Sequence, residues 1–226
     1  ILIGFWIFFS HGRWIRKLHF KKIFFLGLLV IIFLHLFGGL IIPIERNYEY
    51  PVAIWQTNIP TREKLKIDDK FIREKQSIAQ EYALYNKAKL LVAPEGTLSK
   101  NFYLSKGVKI NTLAGGFRNS KNELRSSLLG FQVGDKSFTS FIDKNRLVPL
   151  GEKIPRFLDR FSRGLSAVGG IQPGSDSRFF DPKFTPPLAV AICYEISDGV
   201  KIRKAINRGA KLIITAANLD PYPTKL

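Results

Sequence analysis

The chain has 226 residues, no methionine and one cysteine, and its 35 Lys and Arg outnumber 18 Asp and Glu to give a formal charge of +17. With 46% hydrophobic residues and 19 Phe, it holds too much apolar material for a disordered basic tail. A single cysteine excludes an internal disulfide framework and a Cys-rich zinc site; no metal and no cofactor are expected. The start at Ile1 and the stop just after a Pro-Tyr-Pro turn predict a piece of a longer protein, with room for one substantial domain and something smaller.

Residues 1–9 are apolar but too short to span a bilayer, and are expected to be the end of a preceding transmembrane helix cut by the fragment boundary. Residues 10–22 carry Arg13, Arg16, Lys17, Lys21 and Lys22 and no acid, the pattern of a short loop retained in the cytoplasm. From Ile23 to Ile42 no Lys, Arg, Asp or Glu occurs. At about 1.5 Å per residue that run crosses a hydrocarbon core of roughly 30 Å, so a transmembrane helix is predicted over 23–42. It ends in Pro43 and Glu45 rather than in a small-residue cleavage site, unlike a signal peptide. Residues 43–226 are therefore expected outside the membrane. The remaining charge, 30 basic against 18 acidic residues, either faces anionic headgroups or forms a solvated face. An extracytoplasmic position argues against nucleic acid as a partner.

Beyond the span, strands and helices alternate. Val52 to Gln56 reads as a short strand, and Ile67, Phe71, Ile78, Tyr82 and Tyr85 recur at a helical period within 67–89. Leu90 to Ala93 reads as a buried strand stopped by Pro94, which leaves Glu95 just past its carboxyl end, where open α/β sheets place their ligand chemistry. Between Ile110 and Phe141, short runs punctuated by Gly, Asn and Ser predict antiparallel hairpin strands. Leu188 to Ile192 is a further buried strand followed at once by Cys193, Val200 to Asn207 is helical, and Lys211 to Ala216 is a last strand.

Glu95, Lys144 and Cys193 each follow or adjoin an apolar strand. A lone thiol is either a buried core residue or a nucleophile, and the polar neighbours Tyr194 and Glu195 favour the second. A nucleophilic thiol needs help to lose its proton, since its ordinary pKa is about 8.5. The three histidines are His11, His19 and His35, two in the predicted cytoplasmic loop and one in the predicted span, so topology excludes a Cys-His dyad. A carboxylate in a dry site can act as base, and a lysine ammonium can stabilise an oxyanion. Glu95, Lys144 and Cys193 supply those groups, although their spacing says nothing of proximity.

The ordered segments VAPEG, DKNRLVPLGEKIP and AICYE resemble the carbon-nitrogen hydrolase (nitrilase) superfamily and, within it, the apolipoprotein N-acyltransferase family, bacterial membrane enzymes of lipoprotein biosynthesis. The opening VAIWQTNIP resembles that family's first strand. This resemblance implies an α/β fold, a four-layer α-β-β-α sandwich preceded by a transmembrane helix, in a multi-pass protein of the bacterial inner membrane with its catalytic domain on the periplasmic side. It implies Glu95 as general base, Lys144 as the ammonium beside the oxyanion and Cys193 as nucleophile, with Glu152 orienting the lysine and Tyr194 and Glu195 in support. It also implies ping-pong acyl transfer from a phospholipid to a diacylglyceryl-cysteine lipoprotein, by a monomer without cofactor. Leu150 stands where the family has an aromatic residue. In TAANLDPYP, Asn218 matches the family's acceptor-side wall, and Asp220 and Tyr222 correspond to it in a shifted register. Phe157, Leu158, Phe161 and Leu165 fall at helical spacing within 154–168, as either a lipid-facing arm or a helix packed on the domain itself. A membrane-anchored amidase and a non-catalytic lipid-binding module are the alternative readings.

Overall fold

The computed structural model describes residues 20–38, 49–58, 68–100, 102–121, 123–148, 152 and 171–218. The chain divides into two units, Ile1–Glu49 and Tyr50–Leu226. In the first, helix α1 (Phe20–Gly38) is apolar on every side, and its residues from Phe24 to Phe37 are exposed. It begins three residues before the predicted span because Phe20, Lys21 and Lys22 include nothing that breaks a helix. Among the described residues no helix is long and apolar enough to cross a membrane. Residues 39–42 of the predicted span, the 1–9 stretch and residues 10–19 of the basic loop lie outside the described residues.

The second unit is built on two sheets. Strands β1 (Val52–Ile54), β2 (Leu90–Leu98), β3 (Thr112–Ser120), β4 (Glu123–Phe131) and β5 (Ser140–Asp143) form one sheet in chain order. The β1–β2 and β2–β3 pairs are parallel, while β3–β4 and β4–β5 are the predicted antiparallel hairpins. The other sheet runs β6 (Phe179–Phe180), β7 (Leu188–Ile192) and β8 (Leu212–Ala216), with β7 and β8 parallel. Helix α2 (Asp69–Tyr85) connects β1 to β2, and α3 (Gly199–Asn207) connects β7 to β8. The β1–β2 and β7–β8 crossovers thus carry a helix, whereas the described residues between β2 and β3 form none.

Side-chain alternation stacks these pieces into helix, sheet, sheet and helix. On β7, Leu188, Val190 and Ile192 point into the gap between the sheets, where they meet Leu90, Val92, Leu113, Leu128 and Ile142. The intervening Ala189 and Ala191 face α3 and are small enough for Ile202 and Ala205 to pack against them. Leu90, Leu113, Leu128 and Leu188 are wholly buried, each contributing about 1.5–3 kcal/mol of transfer free energy.

One expectation is corrected. Pro94 does not stop β2, because the strand runs on to Leu98 through a bulge. Ala93 pairs with Ala114 and Leu98 with Gly116, so Pro94 to Thr97 all oppose Gly115. A bulge leaves residues out of the ladder, and there a proline has no hydrogen bond to lose. Gly96 takes φ 68° and Thr97 Oγ1 donates to the Pro94 carbonyl at 2.8 Å, which closes the loop. Helix α2 falls within the predicted 67–89, and it buries Ile72, Gln76, Gln80 and Ala83, whereas Phe71, Ile78, Tyr82 and Tyr85 are exposed. Hydrogen bonding favours this face, since Gln80 Oε1 accepts from the Lys109 amide at 2.6 Å.

A Cβ on Gly115 would fall on Glu95 Cα and lie 2.5 Å from the Pro94 carbonyl oxygen. Gly115→Ala is therefore expected to destabilise the fold by about 1–3 kcal/mol, lowering the thermal midpoint. Gly199 has open space around it, so Gly199→Ala serves as the control that leaves the midpoint unchanged or raises it.

Candidate active site

Three strands converge. Glu95 sits on the β2 bulge, Lys144 follows β5, and Cys193 follows β7 as the first residue of a short 3-10 helix, Cys193–Ser197. Cys193 takes φ 53°, a left-handed conformation that a non-glycine residue adopts only at a cost of order 1–3 kcal/mol and that clusters at functional sites. The turn leaves the cysteine half-buried.

Lys144 has 0% side-chain exposure, and its Nζ donates to Glu95 Oε1 at 2.8 Å and to Glu152 Oε1 at 2.7 Å. Glu152 is itself fixed, because its Oε2 accepts from the Val148 amide at 2.8 Å. Burial pushes the Lys144 ammonium toward neutrality, but the two carboxylates outweigh it and hold its pKa above the ordinary lysine value. The lysine is thus a fixed positive charge. Burial raises the pKa of the Cys193 thiol, the negative charge of Glu95 raises it further, and Lys144 draws it part of the way back. At rest the nucleophile candidate is a neutral thiol beside the charges of Glu95 and Lys144.

Glu195 has a different task from Glu95. Its side chain is 2% exposed. Oε1 accepts from the Asn145 amide at 2.6 Å and the Arg146 amide at 3.1 Å, Oε2 accepts from the Ile192 amide at 2.9 Å, and Arg178 Nη1 donates to both oxygens at 2.8 Å. Three of these donors are backbone amides and the fourth is the Arg178 guanidinium. Tyr194 is partly exposed with the Arg146 guanidinium 4.8 Å from its ring centroid.

The structure therefore brings together Glu95, Lys144, Glu152, Cys193, Tyr194 and Glu195. Asn218 follows β8, while Asp220 and Tyr222, and Phe157, Leu158, Phe161 and Leu165, lie outside the described residues. Sequence reasoning missed Arg178, which sits 17 positions before its partner in a segment with no motif. It also missed Ser126, whose hydroxyl lies 3.5 Å from Glu95 Oε1.

The helix, sheet, sheet and helix layering is a nitrilase-like α/β fold, the fold of the nitrilase superfamily. An amidase of that superfamily from Nesterenkonia sp. AN1, solved with an acetamide adduct on its active-site cysteine, matches with TM-score 0.51 and 14% identity over 76% of this chain and 66% of its own. No family model matches the chain. Over all 226 residues the chain is 67% identical to the apolipoprotein N-acyltransferase of Prochlorococcus marinus subsp. pastoris. The enzyme of the same name from Prochlorococcus marinus strain SARG is 45% identical over 225 residues, 95% of this chain. The chain spans about half the length of these curated relatives, 46% and 45%.

Two outcomes follow from these charges. The pH midpoint for alkylation of Cys193 by iodoacetamide is expected above that of free cysteine measured alongside, and Glu95→Gln, which removes the nearby negative charge, is expected to move it down. Lys144→Met leaves two buried carboxylates facing each other and is expected to cost about 3–5 kcal/mol in urea unfolding.

Proposed function

We propose that Cys193, Glu95 and Lys144 are the catalytic groups of a membrane-bound N-acyltransferase, and that this chain carries its extracytoplasmic reaction centre. The observation that carries the reading is the Lys144 ammonium held between Glu95 and Glu152, with the Cys193 thiol under the influence of both charges. Glu95 takes the thiol proton as the sulfur attacks the ester carbonyl of a phospholipid acyl chain. Lys144 faces the developing oxyanion and stabilises it without reorganising. The tetrahedral intermediate collapses to a thioester on Cys193, and the lysophospholipid alkoxide leaves with the proton held by Glu95. The N-terminal amine of a diacylglyceryl-cysteine lipoprotein then attacks the thioester, Glu95 accepts its proton, and the thiol is restored.

The membrane arrangement is part of the proposal. Residues 23–42 span the bilayer, the basic residues of 10–22 keep that loop in the cytoplasm, and the α/β unit works on the periplasmic side as a monomer. The 154–168 segment, with Phe157, Leu158, Phe161 and Leu165, is assigned to the lipid surface, and Asn218, Asp220 and Tyr222 to the acceptor side.

Turnover is tested in a full-length polypeptide containing this chain, reconstituted in vesicles with labelled phospholipid and a diacylglyceryl peptide. Cys193→Ala is expected to abolish transfer, and Glu95→Gln to slow it by about 10²–10⁴-fold. Hydrolysis of simple amides without transfer from phospholipid would contradict the reading and favour an amidase.

A further inference from the structure

We infer that Arg178 is a positioning residue of this reaction centre, acting through Glu195 to fix the lysine-bearing strand end against the cysteine turn. The inference deepens the acyl-transfer reading and rests on it for the identity of Cys193 as the reacting atom.

Lys144 and Cys193 belong to different sheets, one following β5 and the other following β7. Apolar packing between the sheets is non-directional. It sets their separation but cannot fix, to a fraction of an ångström, where one strand end lies along the other. The Arg178–Glu195 pair has the geometry to do that. Arg178 stands immediately before β6 and is 1% exposed in its side chain. Its Nη1 forks to both oxygens of Glu195, while its Nη2 donates to the Asp143 carbonyl at 2.9 Å and to the Ser175 carbonyl at 2.6 Å. Asp143 is the residue before Lys144. Glu195 completes the loop, since its oxygens accept from Asn145 and Arg146 just after Lys144 and from Ile192 just before Cys193.

One guanidinium and one carboxylate thus hold the backbone on both sides of Lys144 and on the near side of Cys193. Neither touches the reacting sulfur directly, because Glu195 spends its oxygens on these donors and Arg178 spends both Nη groups on acceptors. Lysine could not replace the arginine, being a single point donor that cannot serve the carboxylate and two carbonyls in a planar fork. The pair also holds the left-handed turn at Cys193, because the Ile192 amide is fixed by the side chain of Glu195, three residues further on.

The test compares Arg178→Lys and Glu195→Gln with wild type in the full chain. The first readout is the iodoacetamide alkylation rate of Cys193, scored by peptide mass and normalised to the folded fraction from circular dichroism. Glu95 and Lys144 are the charged groups that bear on the thiol, so displacement of Lys144 lowers the thiolate fraction. A fall of about tenfold to a hundredfold is expected in both variants. The second readout is phospholipid turnover in the full-length polypeptide, with kcat falling by a similar factor and KM for the donor unchanged. Alkylation and kcat within twofold of wild type per folded molecule would overturn the inference. Loss of folding in both variants would overturn it as well, by showing that the pair holds the fold rather than the geometry. Absence of phospholipid turnover in wild type, with alkylation still slowed in the variants, would sink the acyl-transfer reading and leave the positioning role standing.

Discussion

An ammonium group taken out of water costs several kcal/mol unless opposite charge meets it at close range. Lys144 is placed where no solvent reaches it, and the two carboxylates that meet it come from separate parts of the chain, Glu95 on the β2 bulge and Glu152 beyond β5. This pairing constrains the rest of the site. It obliges the β2 bulge, the end of β5 and the turn carrying Glu152 to converge on one point, and it fixes a positive charge that survives changes in pH around neutrality. The thiol beside the cluster feels an anion and a cation together. Its proton stays on sulfur at rest, and the carboxylate that discourages ionisation is the group able to receive that proton when bond formation begins.

Such convergence needs backbone that ordinary strand geometry does not provide. Glu95 reaches the lysine only because Pro94 to Thr97 bulge out opposite Gly115, a position with no room for a side chain. Cys193 breaks from β7 in a left-handed conformation, and the Glu195 carboxylate holds the amide before it. Both distortions sit on a rigid frame of sheet-on-sheet packing whose apolar residues need no special geometry of their own. The frame is robust to modest change, while the site depends on a few directional contacts.

Much of this was legible in the sequence, for physical reasons. The run LAVAI alternates large and small apolar residues, and it is a strand buried on both faces, as its composition requires. The hairpins from β3 to β5 announce themselves through turn residues. The candidate site residues stood at the ends of such runs, and the resemblance carried by VAPEG, DKNRLVPLGEKIP and AICYE supplied their grouping. Other features were hidden because they depend on partners remote in sequence. Pro94 reads locally as a stop, and only the small residue opposite it on β3 makes a bulge possible. The helical period of α2 does not reveal that Gln76 and Gln80 are buried, and Gln80 is placed by the Lys109 amide of the loop packed against the helix. Arg178 has no local signature at all, since its role exists only once Glu195 folds back onto the chain around Lys144.

The central claim is that the charged cluster serves covalent chemistry on sulfur, and trapping the intermediate tests it most directly. A full-length polypeptide containing this chain would be incubated with a phospholipid of one acyl-chain length and no amine acceptor, then digested and examined by mass spectrometry. The account predicts one acyl group of that length on the peptide carrying Cys193, removed by neutral hydroxylamine as a thioester is. An acyl group on another residue, or none on Cys193 while transfer to an added acceptor proceeds, would contradict it.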